Sequence, residues 1–263
     1  MLKRSAYRIA SDKPETIPVW AYNFSDKPVR GTLRTMAPDG WKITSPSALE
    51  IPPKGRERID LIVEASGGAR HPIETVRLAG DFGRAGEPVL SLRLLPEPLR
   101  IAPDLAVAIP GANTATRWRP MISGGGAGRT TSEAGRVIVA AEPAGDDRWF
   151  YPVFKLAPGE RPPSGATGLC FSFTLLEGTG DFRVIFDEEN GSGYVADFTV
   201  PPRRGETVEE MLFFSDAVFG AGWSKPDPNH RLDPGEIASC KIGGNTKGGA
   251  VKYSFGNLRW VKF

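Results

Sequence analysis

The chain has 263 residues, 40% hydrophobic and 24% charged, a balance that supports a buried core and excludes wholesale disorder. Its 31 glycines and 24 prolines make 55 helix-interrupting positions, which excludes a helical bundle, and no glycine period of three points to collagen. The net charge of +2 is evenly spread: residues 1–104 carry 16 basic and 13 acidic side chains and residues 105–263 carry 17 and 18, so neither half has the cationic excess that nucleic acid requires.

The first residues, Met1 to Pro14, are basic without an apolar run behind them, and no stretch approaches the roughly 18 apolar residues of a membrane span. The expectation is therefore no membrane partner and no signal peptide in the chain as given. Alternating runs then recur: Ile17-Val19-Ala21, Val29 to Met36, Ile59-Leu61-Val63, Val76-Leu78 and Leu90-Leu92-Leu94. Period two is the strand signature. Pro38-Asp39-Gly40, Pro52-Pro53-Lys54-Gly55 and Ser66-Gly67-Gly68 supply turn chemistry between them. Six or seven strands in about 95 residues suit an immunoglobulin-like β-sandwich over residues 1–95. A linker is expected over residues 96–104, where Pro96, Pro98 and Pro103 resist helix and central strand.

Beyond the linker the runs lengthen and become aromatic. Residues 1–104 hold 6 of the 25 Phe, Trp and Tyr, and residues 105–263 hold 19. Arg136 to Ala141, Trp149 to Leu156, Gly168 to Leu176, Phe182 to Asp187, Tyr194 to Val200, Glu210 to Phe214, Ile237 to Ile242 and Val251 to Val261 suggest a jelly-roll β-sandwich over residues 105–263. Thr207 to Glu210 fits a helix-opening capping box, yet Met211-Leu212-Phe213-Phe214 fits a buried strand equally well. Cys170 and Cys240 are too few for a disulfide framework and read as buried thiols, with a single disulfide as the alternative.

Two sets of motifs carry a family likeness. Ala37-Pro38-Asp39-Gly40-Trp41, followed by Leu49 to Gly55, resembles the immunoglobulin-like accessory domains appended to bacterial glycosidases. Arg148-Trp149-Phe150-Tyr151-Pro152, Gly168 to Phe173, Phe213 to Phe219 with Trp223, Leu232 to Ile237, Ile242 to Asn245 and Ser254 to Leu258 resemble a jelly-roll, galactose-binding-like carbohydrate-binding module. The resemblance implies a non-catalytic accessory region of a polysaccharide-degrading glycoside hydrolase, extracellular or periplasmic as part of a parent protein. Its partners would be a polysaccharide or oligosaccharide and an upstream or separate catalytic domain. A structural calcium accompanies many such modules, and no other cofactor is required. Two other readings stand beside it: a sandwich that packs on a catalytic domain without binding glycan, and a β-sandwich glycosidase or lyase in its own right.

Catalytic constellations are sparse. His71 precedes Pro72 at a strand edge, His230 lies in the polar stretch Asp227 to Asp233, and neither nucleophile elbow nor zinc motif occurs. Asp187-Glu188-Glu189-Asn190-Gly191 reads as a solvated hairpin turn before it reads as a catalytic pair, because neighbouring side chains on a strand face opposite ways. Ser123 to Gly128 lacks the lysine of a phosphate loop and reads as a flexible loop. Sugar binding instead asks for flat aromatic faces and planar polar groups. Trp223, in Gly220-Ala221-Gly222-Trp223, is the first candidate, followed by Trp149 and Tyr151 on one strand face and Tyr194 after Gly193. Trp118 and Trp260 alternate with Arg117, Arg119, Arg259 and Lys262 and read as packing residues. Asp227, Asn229, Asp233 and Glu236 faintly suggest a calcium loop, but Asp233-Pro234-Gly235-Glu236 better fits a helix start capped by Asp233.

Overall fold

The computed structural model describes all residues except 1–5, 11–12, 66–72, 98, 200 and 247. The expected turn at Ser66-Gly67-Gly68, His71, Pro98 and the end of the Tyr194 run at Val200 lie outside the described residues. The chain divides into two compact units, Met1–Ile101 and Ala102–Phe263. Both are all-β, and among the described residues helix occurs only as single 3-10 turns. No helix is long and apolar enough to cross a membrane.

The first unit contains β1 (Ala6–Ala10), β2 (Glu15–Tyr22), β3 (Val29–Met36), β4 (Trp41–Thr44), β5 (Ala48–Ile51), β6 (Arg56–Ala65), β7 (Glu74–Asp81) and β8 (Val89–Glu97). They form a five-stranded sheet in the order β1-β8-β7-β3-β5 and a three-stranded sheet in the order β2-β6-β4. Inward positions follow the alternation: Ile17 and Val19, Ile59, Leu61 and Val63, Val76 and Leu78, Leu92 and Leu94 are all buried in one core with Trp41. The linker expectation is corrected at its start. Pro96 stands inside β8, opposite Ile9 of β1.

The second unit contains β9 (Ala106–Ala108), β10 (Trp118–Arg119), β11 (Ala127–Glu133), β12 (Arg136–Glu142), β13 (Trp149–Phe150), β14 (Val153–Lys155), β15 (Gly168–Glu177), β16 (Gly180–Glu188), β17 (Gly193–Asp197), β18 (Thr207–Phe213), β19 (Val218–Phe219), β20 (Ile237–Thr246) and β21 (Val251–Val261). One sheet runs β10-β14-β20-β16-β17-β19, with β13 also on β20, and the other runs β11-β12-β21-β15-β18, with β9 on β21. A single aromatic-rich core lies between the two sheets of this jelly-roll sandwich, with Trp118 and Trp260 buried in it as expected. Cys170 and Cys240 are both free and buried, and burial pushes their thiols well above the ordinary range.

Two expectations change here and one open reading is resolved. The Trp149 to Leu156 run is two strands, because Pro152 has no N–H for the ladder and Tyr151 turns its own N–H to the Met121 carbonyl at 2.8 Å. Thr207 to Phe213 is a strand, not a helix start. Asp233 does precede a 3-10 turn, Pro234–Glu236, but makes no side-chain cap; its carboxylate instead accepts from Asn229 Nδ2 at 2.6 Å.

Candidate functional site

The sheet containing β14, β20, β16 and β17 has one face on the core and one facing away from it. Phe182, Val184 and Phe186 of β16 and Cys240 and Ile242 of β20 point into the core. The alternating residues Asp181, Arg183, Ile185 and Asp187, and Ser239, Lys241, Gly243 and Asn245, therefore form the floor of the outer face. Ile185 on that floor is only 7% exposed, so the flanking side chains overhang it.

Trp223 borders this face. Its indole packs against the backbone of β17 and the end of β19: a Cβ built at Gly193 or Gly220 would stand 2.3 Å from a ring carbon. Only glycine at both positions admits the ring there. The loop is tied down, since Gly220 N–H donates to the Gly193 carbonyl at 2.9 Å, Trp223 N–H donates to the Gly220 carbonyl at 3.2 Å, and Gly193 N–H donates to Ser224 Oγ at 2.6 Å. Packed against glycine backbone, the residue is still 54% exposed, a large apolar surface held toward water. Lys241 Nζ lies 5.7 Å from the ring centroid. Lys241 is also ion-paired with Asp187 at 2.8 Å, and Ser239 Oγ donates to the same carboxylate at 2.5 Å.

Trp149 and Tyr151 form a second aromatic station further along β20. Their ring centroids are 6.1 Å apart at 34°. Trp149 is partly buried and Tyr151 buried, with the phenol donating to Asn245 Oδ1 at 2.7 Å. Burial, with Asp197, Asp147 and Asp181 nearby and Arg183 opposing them, pushes the Tyr151 hydroxyl up to about 12. That keeps it a neutral hydrogen-bond donor throughout the physiological range. Arg183 pairs with Asp197 at 3.3 Å between the two stations.

Tyr194 is corrected. It sits opposite Phe186 with its ring in the core, is 1% exposed, and donates its hydroxyl to Asp227, so neither ring face is open to a ligand. The acidic run does form the hairpin turn between β16 and β17, with Glu189 and Asn190 exposed, but the carboxylates leading into it are engaged. Asp187 faces outward to Lys241, Glu188 is buried and accepts from Asp233 N–H at 2.6 Å, and Glu189 pairs with Arg161. Among the described residues no group of three or more His, Cys, Asp or Glu is placed to hold a metal ion. Asp227 accepts from the Tyr194 hydroxyl, Asn229 Oδ1 accepts from Arg231 N–H, and Asn229 Nδ2 donates to Asp233. Reading the sequence missed Asn245, Lys241 and Arg183. The outward alternation Ser239, Lys241, Gly243, Asn245 was there to extend, but Gly243-Gly244 reads as a strand end.

No protein-family model matches the chain, and no curated protein does. Among solved structures, the chain is similar to the family 11 carbohydrate-binding module of the cellulosomal cellulase Lic26A-Cel5E of Clostridium thermocellum, with TM-score 0.49 and 15% identity over 60% of this chain and 95% of that one. The Clostridium thermocellum module in complex with a beta-1,3-1,4-mixed-linked tetrasaccharide gives TM-score 0.49 and 16% identity over 60% of this chain and 96% of that one. The agarase AgWH50C gives TM-score 0.41 and 10% identity over 55% of this chain and 24% of that one.

Proposed function

We propose that the second unit is a non-catalytic carbohydrate-binding module that holds a polysaccharide along the outer face of the β14-β20-β16-β17 sheet. The observation that carries this reading is Trp223, an exposed indole held against two glycines at the border of a polar floor. A rigid aromatic face stacks on the apolar face of a pyranose, while Asn245, Asp187, Ser239 and Arg183 offer donors and acceptors to its hydroxyls. From Asn245, beside Trp149, to Lys241, beside Trp223, is four residues of β20, about 13 Å of strand, and the stations are also offset across strands. That separation suits a chain of several sugar rings better than a single one. In this reading the first unit, an immunoglobulin-like spacer, joins the module to a polysaccharide-degrading hydrolase acting outside the cytoplasm.

Affinity electrophoresis across a panel of polysaccharides, run beside a reducing-sugar assay, tests it. At least one soluble polysaccharide is expected to retard the protein without sugar release. Trp223→Ala should abolish the retardation with an unchanged melting temperature, and Gly193→Ala should weaken it by displacing the ring. Retention equal to wild type in Trp223→Ala removes that residue from the site. Sugar release lost on Asp187→Asn would make the unit an enzyme.

A further inference from the structure

The first unit holds a cavity independent of the sugar-binding reading. At the end of the sandwich where β2, β5 and β7 stop and β3, β6 and β8 start, a cavity of about 550 Å³ opens between the sheets, walled by Val19, Val29, Leu33, Ile51, Leu78 and Leu90. That volume lies in the range of small-ligand pockets. Its inner walls are aliphatic, Trp20, Tyr22, Asn23, Phe24 and Ser25 line it toward the opening, and Phe82 lies against Gly31 and Gly80, where an added Cβ would stand 2.3 and 2.5 Å from the Phe82 ring.

The mouth is built, not merely open. Phe24 is 81% exposed, stacked on Tyr22 with centroids 6.2 Å apart and planes 8° from parallel, and exposed Val89 faces the same opening. These apolar groups are held in water by a rigid turn. Asn23 Nδ2 donates to the carbonyls of Lys27 at 2.8 Å, Ile51 at 3.2 Å and Pro52 at 3.0 Å, and Asn23 Oδ1 accepts from Ser25 N–H at 2.9 Å. Persistent exposure of this kind marks an interaction site.

The rim leans cationic. The loops framing the mouth, residues 23–28, 52–55 and 82–88, hold Lys27, Lys54 and Arg84 against Asp26 and Glu87, and Arg56 opens β6 beside them. Two of these cations are fixed at the rim: Lys54 Nζ donates to the Phe24 carbonyl at 2.9 Å and pairs with exposed Asp26 at 3.2 Å, and the Arg56 guanidinium lies 4.5 Å from the centroid of the Trp20 ring, which also lines the opening. An aliphatic interior behind a cationic, aromatic rim is complementary to a tail with an anionic head.

We propose that this cavity binds a single amphipathic anion, an aliphatic carboxylate whose tail enters between the sheets and whose head meets Lys54 and Arg56. Calorimetric titration of the full chain with dodecanoate, below its micelle concentration, tests this. The expected result is saturable binding of one molecule with a negative heat-capacity change, about tenfold or more tighter than dodecyltrimethylammonium. Leu33→Phe, which fills the cavity, should abolish it. The Lys54→Glu, Arg56→Glu double variant leaves the core untouched and should erase the preference for the anion even if the filled variant fails to fold. Equal affinity for the cationic surfactant, or no saturable binding, overturns the proposal. So does sedimentation with phosphatidylglycerol vesicles without dodecanoate binding, which makes the rim a membrane contact, and so does a dimer lost on Phe24→Ala.

Discussion

The two units solve the same packing problem with different side chains. The first fills the space between its sheets with Ile, Val and Leu around a single buried indole, Trp41. The second fills it with interlocked rings: Phe173 lies 5.0 Å from Phe182, 4.9 Å from Phe198 and 5.3 Å from Tyr253, and Trp118 lies 4.6 Å from Phe255. Facing sheets stand about 10 Å apart, and at one end of the first unit the aliphatic core does not fill that gap. The first unit accordingly retains its cavity of about 550 Å³. The lesson concerns the aromatic excess of residues 105–263, which invites a ligand reading and is mostly packing. Of the sugar-stacking candidates only Trp223, and in part Trp149 and Tyr151, lie on the outward face of their sheet.

The contrast is broken most directly at its densest point. Phe173 is fully buried among three other rings, so Phe173→Ala removes both transfer energy and mutual ring contacts. A loss of about 3–5 kcal/mol is expected in the unfolding free energy of the second unit, read by chemical denaturation. A loss below about 1 kcal/mol would mean that the ring cluster relaxes to refill the space, and the two cores would then differ in composition without differing in packing.

Adding volume sharpens the same contrast. Val139 is fully buried in the aromatic core, and Val139→Phe should destabilise the second unit by about 1–3 kcal/mol. Leu33 lines the cavity of the first unit, so Leu33→Phe has somewhere to go and should change stability by less than about 1 kcal/mol. Calorimetric melting of both variants checks the pair. Equal penalties would show that the cavity does not accept side chains.

Much of this architecture was legible as period two. Val29–Met36 and Val251–Val261 are strands over the whole of the runs that predict them. What a single sequence lacks is register, and the misreadings follow from that. Tyr194 follows a glycine near a turn and looks loop-borne, but pairing with Phe186 sets its ring inward. Gly243-Gly244 looks like a strand end, yet β20 continues to Thr246 because its glycines admit neighbours too close for a side chain: a Cβ would stand 1.9 Å from the Phe150 carbonyl oxygen at Gly243 and 2.6 Å from that of Asp181 at Gly244. The continuation carries Asn245 onto the outer face. Pro96 looks like a linker because proline disfavours central strands, yet it lies within β8 opposite Ile9.

The smallest expected effect is a change of slope with pH, and it separates the polar interior of the second unit from its apolar core. Burial pushes the Glu188 carboxyl up, and the nearby Asp227 and Asp233 add to the shift against the hydrogen bonds from Asp233 N–H and Asn190. The folded chain then binds a proton at Glu188 more readily than the unfolded chain does. Stability contributed by this group is present below the ordinary carboxyl range and declines as pH rises from there to the raised value. Asp227 runs the other way: the Tyr194 hydroxyl holds its carboxyl below the ordinary range, so its contribution is lost only as pH falls through that lowered value. Glu188→Gln should therefore flatten the decline with rising pH while leaving the acid-side loss due to Asp227 in place. Chemical denaturation from acid to neutral pH reads both limbs, and an unchanged upper limb in Glu188→Gln would mean that Glu188 is already ionised in a solvated setting.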